Sequence, residues 1–357
     1  MEQKVVSRLS ILAIGMMGLC IAILLTFPRL HEASLALQER IGEDQGVSVL
    51  SLLKDNSQLL SLSDDYARIK EHQLRLGLPG GVGLEDISMT GDPMAHEISF
   101  TIPGIGNTYF YDYPMIGNSD GIEDLRFDVD DHVGRIDILT DHVRECVMTV
   151  EDNYLYLDFK KPSEVYDYVV AIDAGHGGKA PGANQGEILE KNINLAIVEK
   201  LKTLFDKDDH NIGVYYTRLD DGNPSFESRV GLANDIKADA FVSVHINSTD
   251  SGRMSGIHGT SVLYLVADKS GESMELAGFC LDNLLAELGS ESKGLVAGDE
   301  FYIIRTSKVP VALCEIGFIT NPQEQALMIT DDYQQKAAKG IYKGILQKLG
   351  IKEGKHE

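Results

Sequence analysis

Two histidines and two glutamates stand where a reactive centre could form. His176 follows a continuous apolar run, Tyr168-Val169-Val170-Ala171-Ile172, inside the turn Asp173-Ala174-Gly175-His176-Gly177-Gly178. Glycines let such a turn close where side chains would block it, leaving the imidazole near the backbone and open to solvent. Glu190 opens a helical stretch in Leu189-Glu190-Lys191-Asn192, and His245 closes the run Phe241-Val242-Ser243-Val244. Two neutral imidazoles and one carboxylate form a set that binds catalytic zinc and leaves a fourth position open for water. Zinc brings the pKa of such a water near neutrality. Glu315 follows the apolar stretch Val309–Cys314. Partial desolvation there should raise its pKa, which suits a group that takes a proton from water and passes it to a leaving amine. Each residue also has an ordinary explanation. A histidine at a strand end is commonly a satisfied polar residue, a glutamate in a first helical turn complements the helix dipole, and Glu315 alone could be a carboxylate at the edge of the core. Residue types and spacing leave a metal hydrolase as one reading among these.

The elements that must position these residues follow from periodicity. Continuous apolar runs at 168–173, 212–217, 240–245, 259–265 and 310–316 read as strands covered on both faces, and helices fit 190–206, 225–237, 272–288 and 322–348. The expected catalytic fold is α/β, a twisted mostly parallel sheet flanked by helices. The carboxyl ends of its strands share one rim, where ligands gather. No internal repeat is present.

Several segments also resemble, in order, the zinc-dependent N-acetylmuramoyl-L-alanine amidases. They are Ile172–Gly178 with Pro181-Gly182-Ala183, then Glu190–Leu195, then Thr217-Arg218 with Arg229 and Ala233-Asn234. Ser243–Asn247 and Val311–Asn321 complete the set. Any one of these motifs is weak, but their shared order is specific. The resemblance implies that His176, Glu190 and His245 bind Zn2+ and that Glu315 is the catalytic carboxylate. The implied reaction is hydrolysis of the amide between the lactyl group of N-acetylmuramic acid and L-alanine of the peptidoglycan stem peptide. Ala174 stands where the family commonly has proline, which bears on the turn and not on the metal. The Gly259-Thr260-Ser261 stretch departs from the family's usual polar pattern, which bears on substrate contacts. The spacings from His176 to Glu190 and from His245 to Glu315 leave no room for the plugging helix that some relatives insert. His258 lies near the second histidine motif without matching it and reads as a loop residue at the surface.

Outside this region the chain divides into an N-terminal membrane anchor or signal segment (1–29), a helical stalk and linker (30–93) and a small β-rich domain (94–163). The catalytic domain is expected at 164–357. Leu9–Phe27 lacks charge, and as a helix it would be roughly 28 Å long, enough to cross a bilayer's hydrocarbon core. Lys4 and Arg8 precede it, which places the N-terminus in the cytoplasm and the remainder outside. The expected location is therefore the cell membrane, single-pass, with the catalytic domain extracytoplasmic. Cleavage and secretion is the alternative, although no small-x-small site directly follows the run. The segments HEISFTI, LRFDVD, RIDILT, ECVMTVE and YLYLDF alternate apolar with polar residues, as in a small antiparallel sandwich or meander. That domain resembles wall-targeting modules in architecture, and a spacer is the other reading. The net charge of −23 opposes binding to nucleic-acid phosphates, so DNA and RNA are set aside as partners. The four cysteines form no CxxC pair, Cys314 reads as a buried small hydrophobe, and no disulfide framework is indicated. The competing functions are a catalytically silent peptidoglycan-binding or regulatory module and a zinc peptidase cutting another stem-peptide bond. A protein regulator stays open.

Overall fold

Alternating apolar and β-branched residues become strands in the first of two compact units. The structure, a computed structural model, describes residues 71–352. The expected anchor at 1–29 and the stalk as far as residue 70 lie outside the described residues. Among the described residues, no helix is long and apolar enough to cross a membrane. Of the described residues, one unit comprises those to Gly91, Glu97–Asp141 and Cys146–Phe159; the other comprises Asp92–His96, His142–Glu145 and those from Lys160 onward.

The first unit is built on β1 (Leu74–Gly77), β2 (Ser88–Asp92), β3 (Glu97–Pro103), β4 (Ile116–Gly117), β5 (Ile122–Asp130), β6 (Val133–Thr140), β7 (Glu145–Glu151) and β8 (Tyr154–Lys160), with a short helix α1 (Tyr109–Asp112). The strands form two sheets, ordered β4-β1-β8-β7 and β2-β3-β6-β5. Ile98, Phe100 and Ile102 alternate inward along β3 and share one buried core with Leu74, Leu76, Leu155 and Leu157 from the other sheet. Asp131-His132 and Asp152-Asn153 join their strands with φ of 44°, 61°, 50° and 64°. Two successive left-handed residues make the tight hairpin turn whose twist matches the strands it connects. Two strands begin earlier than the sequence suggested. Both β1 and β2 lie in the segment read as helical stalk and linker. Leu74–Gly77 is too short to show a period, and every residue of β2 is exposed, so neither leaves an apolar alternation in the sequence.

The second unit follows the expected α/β pattern. Its strands are β9 (Tyr168–Ala174), β10 (Asn184–Gln185), β11 (Ile188–Leu189), β12 (Ile212–Tyr216), β13 (Ala240–Asn247), β14 (Thr260–Tyr264), β15 (Ser292–Ala297) and β16 (Val311–Phe318). Its helices are α2 (Pro162–Val165), α3 (Glu190–Phe205), α4 (Phe226–Asp235), α5 (Glu272–Leu288), α6 (Tyr302–Arg305), α7 (Pro322–Met328) and α8 (Asp331–Lys348). Six strands form one sheet in the order β12-β9-β13-β16-β14-β15. The sheet is mixed: β12, β9, β13 and β16 run parallel, while β14 lies antiparallel to β16 and carries β15 with it. An apolar run does not encode its own direction, and β15 (Ser292-Lys293-Gly294-Leu295-Val296-Ala297) is a half-exposed edge strand interrupted by glycine. The sequence therefore marked neither feature. The single helix expected at 322–348 is two helices, because Thr330 accepts a hydrogen bond from the Tyr333 amide and starts α8 anew.

Successive strand residues face opposite layers. Val170, Ile172, Val242 and Val244 share a core with Ile197 of α3, Cys280 of α5 and Ile341 and Ile345 of α8. Val169, Ala171 and Phe241 share another with Val230 and Ala233 of α4 and Ile303 and Ile304 of α6. Burying each such aliphatic side chain is worth about 1.5–3 kcal/mol. Cys280 and Cys314 are buried free thiols, as expected for Cys314.

Helices α5 and α8 meet at their backbones. A Cβ on Gly344 would lie 2.7 Å from Cys280 Cα, and one on Gly340 would lie 2.9 Å from Leu284 Cα. Alanine ordinarily improves a helix interior by about 1 kcal/mol over glycine. At Gly344 the overlap should dominate, so Gly344→Ala is expected to lower stability by about 1–3 kcal/mol. Gly278, in α5 with open space where its Cβ would stand, should respond to alanine in the opposite direction. Denaturant unfolding of the two variants checks this difference in sign.

Candidate metal centre

Glu190 is built into the site by its backbone as much as by its side chain. The small hairpin of β10 and β11 returns the chain so that the Glu190 amide donates to Ala183 O at 2.9 Å and the Ala183 amide donates to Glu190 Oε2 at 2.7 Å. The other carboxylate oxygen, Oε1, accepts from the Ile246 amide at 3.0 Å. Glu190 is also the first residue of α3, where unsatisfied amides favour negative charge. The carboxylate is 3% exposed, so its orientation is set before any ligand arrives.

The two histidines reach it from the sheet. His176 stands just past β9 in the left-handed region, at φ 63°, and Gly177 follows at φ 138°, a conformation that favours glycine. His176 Nε2 lies 3.2 Å from Glu190 Oε1. His245 lies within β13, which runs on to Asn247, and its Nδ1 is 3.0 Å from the same oxygen. The register slips between His245 and Asn247, and such an irregularity re-aims side chains at a strand's end. The two imidazoles meet edge to face with centroids 4.9 Å apart. A Cβ on Gly175 would come 2.8 Å from His245 Cδ2, so glycine is required there by close approach.

The donor atoms of His176, Glu190 and His245 lie within 4.8 Å of one another, and theirs is the one such group found among the described residues. Glu315 stands beside them: His245 and Glu315 are directly paired across β13 and β16. Its Oε2 is buried and has no hydrogen-bond partner. The four residues singled out by the sequence are thus brought to one rim, and His258 is not among them. It is exposed, with Nδ1 2.9 Å from Gly256 O and Nε2 3.1 Å from Glu291.

The charges of the cluster depend on one another. Burial alone would raise the Glu190 pKa, but hydrogen bonds with His176 and His245 outweigh it and hold the carboxyl well below the usual range. Burial lowers the His245 pKa, yet Glu190, Glu315 and Asp173 raise it further than burial lowers it. Glu315 has no such compensation. Burial, helped by the charge of Glu190 and opposed by His245, pushes it up to about 7. Two imidazole nitrogens and a carboxylate oxygen at these separations, beside a buried carboxylate oxygen with no partner, fit a divalent metal of the zinc type with its water.

Beneath this cluster lies a second one, formed by residues to which the sequence reading gave no structural role. Asp173, fully buried, accepts from Thr217 Oγ1, Ser243 Oγ and Arg229 Nη1, each at 2.6 Å. Burial opposes its charge, but Arg229 and the two hydroxyls outweigh burial and keep its pKa below the ordinary value. Asn194, buried on α3, donates to Gly175 O at 3.1 Å. The available signal was polarity inside apolar patterns: Asp173 lies near the end of β9, Ser243 lies within β13, and Asn194 sits beside Ile193 and Ile197 on the buried side of α3.

Fold and site together define the class, a hydrolase with an α/β catalytic domain. A family model described as N-acetylmuramoyl-L-alanine amidase matches residues 170–347. YqiI, an uncharacterized protein of Bacillus subtilis, is 38% identical over 49% of this chain and 82% of its own length. The germination-specific N-acetylmuramoyl-L-alanine amidase of the same organism is 30% identical over 50% of this chain and 78% of its own. The endolysin of Bacillus phage SPP1 is 34% identical over 52% of this chain and 67% of its own. The chain belongs to the N-acetylmuramoyl-L-alanine amidase family, and it is an enzyme of that activity, a peptidoglycan hydrolase.

Asp173→Asn would leave Arg229 charged and buried without its carboxylate, at an expected cost of about 3–5 kcal/mol in denaturant unfolding at neutral pH. Because the folded-state pKa of Asp173 lies below its ordinary 3.8, its contribution is complete above that value. It is lost as pH falls through the lower folded value. The wild-type stability should therefore decline in that acid range more steeply than that of the asparagine variant.

Proposed function

We propose that His176, Glu190 and His245 hold a zinc ion and that Glu315 transfers the proton in cleavage of the amide between N-acetylmuramic acid and L-alanine. The observation that carries this reading is the convergence of three donor atoms next to a buried carboxylate oxygen with no partner. Zinc, when bound, supplies a Lewis acid that acidifies water and polarises the scissile carbonyl. Glu315 accepts the proton of the attacking water as its oxygen bonds to the lactyl carbonyl carbon. It then delivers that proton to the amide nitrogen as the carbon–nitrogen bond breaks, leaving a lactyl carboxyl and the free amine of L-alanine. A carboxyl with a pKa of about 7 can both accept and return a proton near neutral pH. Glu190 would supply the carboxylate ligand, its Oε1 lying 3.2 Å from His176 Nε2 and 3.0 Å from His245 Nδ1.

The uncharged run Leu9–Phe27 after Lys4 and Arg8 supports a single-pass anchor that places the enzyme on the outer side of the cell membrane, where its substrate lies. The β-sandwich fits a wall-targeting module or a spacer between anchor and enzyme. Net acidity continues to argue against nucleic-acid partners.

The first test measures metal content and peptidoglycan hydrolysis together on the full-length chain, with and without chelator. One zinc per chain and new L-alanine amino termini, both lost on chelation, are expected. Zinc without new amino termini would count against the proposed proton transfer, and new amino termini at another stem-peptide position would indicate a peptidase. Glu315→Gln should keep its zinc and lose turnover by about 10²–10⁴-fold. His176→Ala and His245→Ala should each lose metal along with activity, and stoichiometric zinc in either would remove that histidine from the site.

A further inference from the structure

Two buried arginines bind the carbonyls of the turn that carries His176. Arg218 and Arg229 are 5% and 1% exposed. Arg218 donates Nε to Ala174 O at 2.8 Å and Nη2 to Gly175 O at 2.9 Å. The same Nη2 donates to Lys191 O at 2.9 Å, and Nη1 donates to Asp220 O at 2.8 Å. Arg229 donates Nη1 to Ala174 O at 2.8 Å and Nη2 to His176 O at 2.7 Å, while also pairing with Asp173. Three consecutive carbonyls, those of residues 174, 175 and 176, therefore each accept from a guanidinium.

Two facts make this more than packing. His176 is not glycine, yet it adopts φ 63°, a region that costs a residue with a side chain unless its surroundings enforce it. The enforcement is visible: its carbonyl is fixed by Arg229. Arg218 in turn joins the turn before His176 to Lys191, the residue after Glu190, and so sets the distance between two candidate donors from different elements. Burying two like charges side by side is costly, and Asp173 offsets the charge of Arg229 through a direct ion pair.

We propose that Arg218 and Arg229 are positioning residues that preset the metal site. Arg229 locks the left-handed conformation of His176, and Arg218 fixes that turn against the start of α3. This inference rests on the reading of His176 and Glu190 as zinc ligands. A planar guanidinium offers its donors in a rigid fork that an ammonium cannot reproduce, so lysine keeps the charge and loses the geometry.

The test uses the full-length chain and two readouts other than activity: zinc affinity by chelator competition, and the visible absorption of the cobalt-substituted protein. Arg218→Lys should weaken zinc binding about 10–100-fold, the range typical of groups that orient ligands, and should shift the cobalt bands. Leu284→Ala, a buried change in α5 away from the turn, provides a comparison for lost stability alone. It should lower the unfolding midpoint while leaving zinc affinity and the cobalt spectrum as in the wild type. Should Arg218→Lys fail to fold, Arg229→Lys is read in the same way. Wild-type zinc affinity and cobalt spectrum in the arginine variant would overturn the proposal, as would an equal loss of affinity in Leu284→Ala. A wild-type chain that takes up no zinc would overturn the ligand assignment, and this inference with it, whereas an unchanged arginine variant overturns the inference alone.

Discussion

Three carboxylates, Asp173, Glu190 and Glu315, converge at the carboxyl ends of β9, β13 and β16, and the catalytic unit is arranged around accommodating that charge. Each is treated differently. Asp173 is neutralised by Arg229 and two hydroxyls. Glu190 is held ionised by amides and imidazoles. Glu315 is left with a partnerless buried oxygen and a raised pKa. Separate environments therefore give the same functional group three states: paired with a cation, held ionised, and buried without a partner. The division depends on β9, β13 and β16 running parallel, since only then do their carboxyl ends share one rim.

Much of this was legible in the sequence. Continuous apolar runs marked the strand that leads to His176 and the strands that carry His245 and Glu315, because a sheet covered on both faces has no polar alternation. Glu190 was legible from its place at the start of a helix. Strand direction was not: Thr260–Tyr264 reads like its parallel neighbours, and only tertiary packing turns it antiparallel to β16. The edge strand Ser292–Ala297 was hidden because an exposed edge requires no apolar pattern. The roles of Asp173, Asn194, Arg218 and Arg229 were hidden for another reason. They act through contacts between residues far apart in the chain, and a guanidinium's partners here are backbone carbonyls, which leave no trace in residue type.

The β-sandwich shows the same logic in a simpler setting. Its long strands were legible because half of their residues enter one core. Its shortest strand, β4, pairs through only two residues and has no period to detect.

Gly175 has a consequence for the imidazole that it faces. The His245 ring lies against the glycine α-carbon so closely that a methyl group there would overlap it. The ring thus occupies the space that a side chain at residue 175 would take. With that space left open, the His245 Nδ1 reaches Glu190 Oε1 at 3.0 Å. The missing side chain at Gly175 is therefore room for the imidazole, so the cluster depends on an absence at one position as much as on the groups present at three.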